Sequence, residues 1–270
     1  MSTPSQPAIE REWQRFTTAE KLARYAVYLF TVLAVVWAAR YVEIIPEFLA
    51  DAPTQTADLF RRMWPFDWPH YGKVVHAALI ETFHIATLGT ILSIALAVPV
   101  ALLAAKNITR SKTINLVATF ILVSSRSVNS LIWALLFVAV FGPGALAGML
   151  AIAFRSIGFV GKLLAEAIEE AAPGPIEALT ATGAPFMSLL TKGYWPQVEP
   201  RFWSIALFRW DINIRESAVL GLVGGGGIGV ALDAAMSNLY WDQVGLILAV
   251  IFAVVIATEI VTSAIRKRII

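Results

Sequence analysis

The sequence predicts an all-α membrane protein with six transmembrane helices. Three observations carry this fold class. Of its 270 residues, 58% are hydrophobic and 15% charged, against about 45–50% apolar and about 25% charged in a soluble domain. Mean hydropathy is +0.70, and six segments approach or exceed the about 20 apolar residues a helix needs to cross the hydrocarbon core. Lys and Arg gather in alternate connections between those segments, the asymmetry that orients membrane chains.

The elements follow in order. The polar opening MSTPSQPAIEREWQRF has no short apolar run and no small-residue cleavage site, so residues 1–24 read as a retained cytoplasmic segment, not a signal peptide. The first span covers about Tyr25 to Tyr41. A loop of residues 42–76 follows, with Glu43, Glu47, Asp51, Asp58 and Asp67 set against Arg61, Arg62 and Lys73. Its IIPEFLADAPTQTADLFRRM can form a surface helix, and WPFDWP supplies aromatics suited to the membrane interface. The second span, about Ala77 to Ala105, carries Gly89, Thr90 and Pro99. The third is expected as one helix from about Ile114 to Phe141, and Gly142–Gly144 turns the chain into the fourth, about Ala145 to Ala165. The fifth covers about Phe202 to Val223 and the sixth about Val244 to Ile265.

Arg11, Arg15, Lys21 and Arg24, then Lys106, Arg110 and Lys112, then Arg266, Lys267 and Arg268 all fall on one side of a six-span chain. By the positive-inside rule that side is the cytoplasm, both termini included. The net charge of +2, with no basic block interleaved with aromatics, points away from nucleic acid. Cysteine is absent, which removes disulfides and Cys-based zinc sites.

Between the fourth and fifth spans lies a polar island, EALTATGAPFMSLLTKGYWP, at Glu177–Pro196. Pro173 and Pro175 should break the helix entering it. Glu177–Thr182 and Ala184–Lys192 read as two short helices around Gly183, ended by Tyr194–Trp195–Pro196. A knob with mixed polar and apolar faces suits a groove on a soluble partner. An ordinary cytoplasmic loop is the plain alternative.

The island resembles the EAA loop of ABC importer permeases. Glu177, Ala178, Gly183 and Pro196 match its E-A-x-x-x-x-G spacing and later proline, whereas Leu179 replaces the second Ala, and Gly193 and Trp195 stand where aliphatics are usual. ETFHIATLGTILSIALAVPVALLAAKN (Glu81–Asn107) looks like the opening of a permease core, and SIGFVGKLLAEAIEE (Ser156–Glu170) like the helix leading into the loop. FRWDINIRESAVLGLVGGGGIG (Phe208–Gly229) resembles the phosphonate/phosphite branch of the family. The resemblance implies a MetI-like core at 77–265, an EAA loop at 173–200 that supplies the coupling helix, and a cytoplasmic tail at 266–270. It further implies two ABC ATPase subunits, a second permease copy in a homodimer, and a periplasmic or lipid-anchored substrate-binding protein. No cofactor is expected in this chain; ATP and Mg belong to the partner ATPase. The permease itself is not an enzyme.

Charges inside the bilayer give the substrate argument. An ionisable residue at the bilayer centre costs at least about 2.5–3.5 kcal/mol and marks a partner or a water-lined path. Arg126 and Arg155 fall near mid-depth on the third and fourth spans, Arg209 in the cytoplasmic half of the fifth and Arg215 near its middle. Asp211 and Arg215 form an i, i+4 pair, while Ser124, Ser125, Ser127, Asn129 and Ser130 surround Arg126. Because the guanidinium fork matches phosphate-like oxyanions, Arg126, Asn129, Arg155, Arg209, Asp211 and Arg215 are the expected translocation path. In the alternative, the arginines only make salt bridges with Glu81, Asp211 or Glu216.

Weaker signals add little. Gly224, Gly225, Gly226, Gly227 and Gly229 formally contain G-x-G-x-x-G, but they follow a membrane span instead of a strand and lack the P-loop Lys-Ser/Thr. They are expected to act as a hinge or a close helix contact. Glu81 and His84 have no further ligands for a metal site. Two rival functions stay open: a membrane enzyme acting on phosphorylated head groups, for which no nucleophile or acid–base pair is found, and a passive anion channel, which would leave the knob without a purpose. A permease of the same class for another small solute is the nearest alternative.

Overall fold

The computed structural model describes residues 16–42 and 45–269, and every described regular element is helical. The expected N-terminal arm with Arg11 and Arg15, and Glu43 of the acidic loop, lie outside the described residues. The chain divides into two compact units, 1–57 and 58–270, which are taken separately.

In the first unit, α1 (Thr18–Tyr41) starts with a capping box: the Thr17 amide donates to Glu20 Oε2 (2.8 Å) and the Glu20 amide to Thr17 Oγ1. This satisfies two of the donors a helix start leaves open. The helix α1 is long and apolar enough to span a membrane. The boundary between units falls inside α2 (Pro46–Met63), an exposed helix with Glu47 in its first turn and Arg61 and Arg62 in its last, matching both ends of its dipole.

The second unit holds α3 (Trp68–Ala104), α4 (Lys112–Ser127), α5 (Ser130–Phe141), α6 (Ala145–Glu169), α7 (Pro173–Ala181), α8 (Phe186–Val223), α9 (Ile228–Ser237) and α10 (Trp241–Ile269). Its centre is the pairing of α3 with α6. Ala86, Gly89, Thr90, Ser93, Ala97, Ala101 and Ala104 form a buried stripe of small residues on α3. Such stripes let membrane helices approach closely, where packing and not hydrophobicity drives association. Gly158 and Gly161 of α6 do the same for α4: a Cβ on Gly158 would overlap Leu122 O and stand 2.8 Å from Arg126 N.

The two ends of this unit are distinguishable by contact. At one end the Lys106 amide donates to Glu169 Oε1 (2.9 Å) and Asn107 Nδ2 to Ile168 O (2.7 Å), beside α7. At the other, the Gly144 amide donates to Gly224 O (2.8 Å), and Gly226 abuts Glu81. Each of α3 and α6 runs from one end to the other.

Two expectations need correction. The third span is not one helix: α4 and α5 meet at 91°. The run SSRSVNS supplies the reason, because Ser and Asn side chains compete with the helical ladder. Ser125 Oγ donates to Phe154 O on α6, Ser127 Oγ turns back to Val123 O, and Asn129 leaves the helix to cap α5, its Oδ1 accepting from the Leu131 amide (3.0 Å). Since α4 starts at the Lys106 end and α6 at the Gly224 end, α4 and α5 together cross the unit as a broken span. Nor does Tyr194–Trp195–Pro196 end the second helix of the island. The chain stays helical from Phe186 to Val223 because residues 189–194 widen to π geometry, with the Trp195 amide bonded to Leu190 O. An i→i+5 turn accommodates Pro196, which has no amide and crowds the carbonyl four residues back.

Candidate functional site

The first candidate is the knob. Pro173 opens α7 at N1, where its missing amide costs nothing, and the Ala172 amide is taken by Gln197 Oε1 at 2.9 Å. Ile176 and Leu179 turn inward onto Gly193, whose Cα would carry a Cβ only 3.3 Å from Leu179 Cδ1. That spacing leaves Glu177 and Ala178 on the exposed face. The helix ends in a Schellman motif: Ala184 N donates to Leu179 O (3.2 Å) and Gly183 N to Thr180 O (3.0 Å), with Gly183 at φ +73°. This left-handed position is what the glycine of the spacing supplies. Phe186 and Met187 follow at 57% and 64% exposure. Carboxylate, small residue and two large apolar side chains of the knob are thus all exposed, and Glu177 has no hydrogen bond or ion pair within the described chain.

The second candidate is a polar network in the interior of the helical unit. On α8, Arg209, Asn213, Glu216 and Ser217 recur at helical spacing and so share a face. Asn213 Nδ2 donates to Thr90 Oγ1 on α3 (2.7 Å), and its Oδ1 lies 3.2 Å from Ser156 Oγ on α6. Arg209 donates through Nε to Ser156 Oγ (2.8 Å) and through Nη2 to Glu216 Oε2 (3.3 Å), with Phe159 packed over its guanidinium. Arg155, from α6, pairs with the other oxygen of Glu216. Two guanidinium groups thus share one carboxylate. Asp211 is buried and pairs with Arg215 through Oδ2, while its Oδ1 has no partner among the described residues.

The six residues expected on a path are therefore not one constellation. Arg155 and Arg209 meet through Glu216. Arg209 and Asp211, 2% and 1% exposed, touch no open space. Asp211 and Arg215 form their own i, i+4 pair. Arg126 is exposed at the end of α4, with no hydrogen bond or ion pair in the described chain, and exposed Asn129 caps the next helix. Glu81 meets none of the four arginines; its Oε1 would lie 2.8 Å from a Cβ on Gly226. Sequence reasoning left Glu216, Asn213, Ser156 and Thr90 outside the site. The signal for the first two was their spacing from Arg209, and for the others a hydroxyl inside a span facing that stripe.

The glycine run is a close contact. Gly224, Gly226 and Gly227 adopt φ of +86°, +82° and +72°, a region where a Cβ is strained. Cβ atoms on Gly148 and Gly229 would collide with Gly225 O and Ala218 O. Together with Glu81 and Pro143 the run borders a recess of about 510 Å³ at the end away from the knob.

Among the described residues, four unbroken helices, with two bent pairs counted as spans, give up to six crossings. The family described as binding-protein-dependent transport system inner membrane component matches residues 97–269. The chain is 36% identical to the phosphite transport system permease protein PtxC of Stutzerimonas stutzeri, over 92% of this chain and 89% of that one. It is 37% identical to the phosphate-import permease protein PhnE of Mycolicibacterium smegmatis over 87% of this chain, and spans 44% of that relative's length. Among solved structures, an inward-facing MetNI methionine ABC transporter aligns with TM-score 0.64 at 19% identity, over 76% of this chain and 100% of that one. An amino acid ABC transporter crystallised with histidines aligns with TM-score 0.62 at 22% identity, over 74% and 95%. These two likenesses show the fold, a MetI-like arrangement of helices.

Proposed function

This chain belongs to the family of binding-protein-dependent transport system inner membrane components, and we propose that it forms the translocation path of an ATP-driven importer for a small phosphorus oxyanion. It is a multi-pass membrane permease and performs no covalent chemistry. The observation that carries the substrate reading is the broken span. Arg126 lies about 21 Å along α4 from Lys112 at about 1.5 Å per residue, inside a hydrocarbon core about 30 Å thick. An unpaired guanidinium and non-helical backbone at that depth are tolerated only against protein or a water-filled cavity. Broken membrane helices that aim a half-helix N-terminus at an anion are a recurrent transport device. Here α5 begins one residue past Asn129. The names of relatives, phosphite and phosphate permeases, agree with an arginine-lined route.

Two copies would enclose the path between them. One knob per chain requires two chains to engage two ATPases, and a relative of which this chain spans 44% has room for a second such unit. The knob end faces the cytoplasm, where the ATPase sits with its ATP and Mg, and both termini lie on that side. The recess end faces a periplasmic or lipid-anchored binding protein. Nucleotide binding draws the two knobs together and alternates access. Glu177, Ala178, Gly183 and Pro196 shape the coupling surface, Arg126, Asn129 and Arg155 line the route, Arg209 supports it, and Asp211–Arg215 acts as a gating pair. Gly224–Gly227 and Gly229 set the hinge between α8 and α9, which are bent by 40°.

The test is Arg126→Ala in the complex purified with its ATPase. The expected outcome is intact assembly, with stimulation of ATP hydrolysis by oxyanion-loaded binding protein retained and uptake of the oxyanion lost. Unchanged uptake would remove Arg126 from the path.

A further inference from the structure

The Arg155–Glu216–Arg209 cluster is incomplete in charge. Two guanidinium groups face one carboxylate, which leaves one positive charge uncompensated at a depth where charges need partners. Arg209 is closed off: its side chain is 3% exposed and its Nε and Nη2 are both committed. Arg155 is open, with a side chain 30% exposed beside Glu216 at 17%. A guanidinium carries five N–H donors. Among the described residues Arg155 spends only Nη1, on Glu216, and its Nε is buried without a partner. The cluster thus has a half-exposed cation with uncommitted donors, the buried Nε among them, and a carboxylate occupying the position an oxyanion would take.

We propose that Glu216 is an internal counter-anion that holds Arg155 and Arg209 in the empty permease, and that the transported oxyanion displaces it from Arg155. This rests on the phosphorus-oxyanion reading above. With an oxyanion on Arg155, Glu216 is left to Arg209 alone, so both cations are paired and the excess charge disappears. A P–O oxyanion offers two acceptors to the arginine fork, where Glu216 offers one oxygen because the other serves Arg209. When the oxyanion leaves, Glu216 swings back, so neither guanidinium is stranded unpaired in the membrane, an arrangement that is strongly unfavourable for buried ions. Glu216 is a positioning residue: it acts through Arg155 and sets how tightly the path holds its cargo.

The binding protein would mask this effect in uptake measurements, so the test is equilibrium binding of labelled phosphite to the permease–ATPase complex in nanodiscs without binding protein. A group that keeps a site mostly occupied lowers apparent affinity by the competent fraction, so Glu216→Gln should bind at least about tenfold more tightly than wild type. Arg155→Gln should lose binding, and Arg155→Gln with Glu216→Gln should stay without it. Co-purified ATPase reports assembly. If Glu216→Gln fails to assemble, Glu216→Asp keeps the charge but shortens the reach to Arg155 and should also bind more tightly. Unchanged or weaker binding in the assembled Glu216 variant overturns the proposal. So does recovery of wild-type binding in the double variant, the signature of a plain salt bridge. A wild-type complex that binds another solute but no phosphorus oxyanion overturns the substrate reading and this proposal with it, whereas phosphite binding that is indifferent to Glu216 overturns this proposal alone.

Discussion

Gly183 holds a backbone torsion of +73° at the end of α7, and nothing stands within 4 Å of the Cβ it lacks. Space is therefore not the constraint; the left-handed torsion is, at about 1–2 kcal/mol for a residue with a Cβ. That cost corresponds to roughly a 5–30-fold change in the population of the capped knob. Gly183→Ala should weaken binding of the ATPase to the permease by a factor in that range while leaving the thermal midpoint of the helical unit in place. Titration of purified ATPase against nanodisc-held permease measures it, and unchanged affinity would detach the cap from coupling. Neighbouring Glu177 and Ala178 owe their exposure to Ile176 and Leu179, which take the inward positions on Gly193. Of the motif, Glu177 and Ala178 face outward, and Gly183 holds the shape.

At the scale of elements, close backbone approach organises the second unit. Gly148 near the start of α6 meets Gly225, and a Cβ there would collide with the Gly225 carbonyl, backbone against backbone. Neither side can yield by rotating a side chain. Overpacking of this kind costs about 1–3 kcal/mol. Gly148→Ala should lower the thermal midpoint followed by intrinsic tryptophan fluorescence; Gly72→Ala, with nothing within 4 Å and φ in the ordinary range, should not lower it. Equal midpoints would contradict the packing described. The spans themselves were legible, because long apolar runs report burial in lipid directly. The break at Val128–Asn129 was not, although SSRSVNS carried its chemistry: a hydropathy run averages over polar residues that cap and bend a helix. The continuity through Pro196 was hidden for a related reason, since a proline reads as a helix end unless the turn before it widens to π geometry, as residues 189–194 do. The partner of Arg155 is not legible in the sequence, because pairing across 61 positions depends on which faces of α6 and α8 meet.

At the scale of the molecule, an exposed knob at one end of the second unit and a broken, arginine-bearing span belong to the same helical unit. Orientation is open to a clean experiment because the natural chain has no cysteine. A membrane-impermeant maleimide should label Gly72→Cys on intact spheroplasts and Thr180→Cys only after the membrane is opened; the reverse pattern would invert the topology. Whether this chain carries a phosphorus oxyanion on ATP hydrolysis by its partners is read from uptake into proteoliposomes holding permease, ATPase and loaded binding protein. Labelled phosphite should accumulate only with ATP, and unlabelled phosphorus oxyanions should compete while methionine does not. ATP-driven accumulation of methionine with no phosphorus-oxyanion uptake would contradict the phosphorus-oxyanion reading.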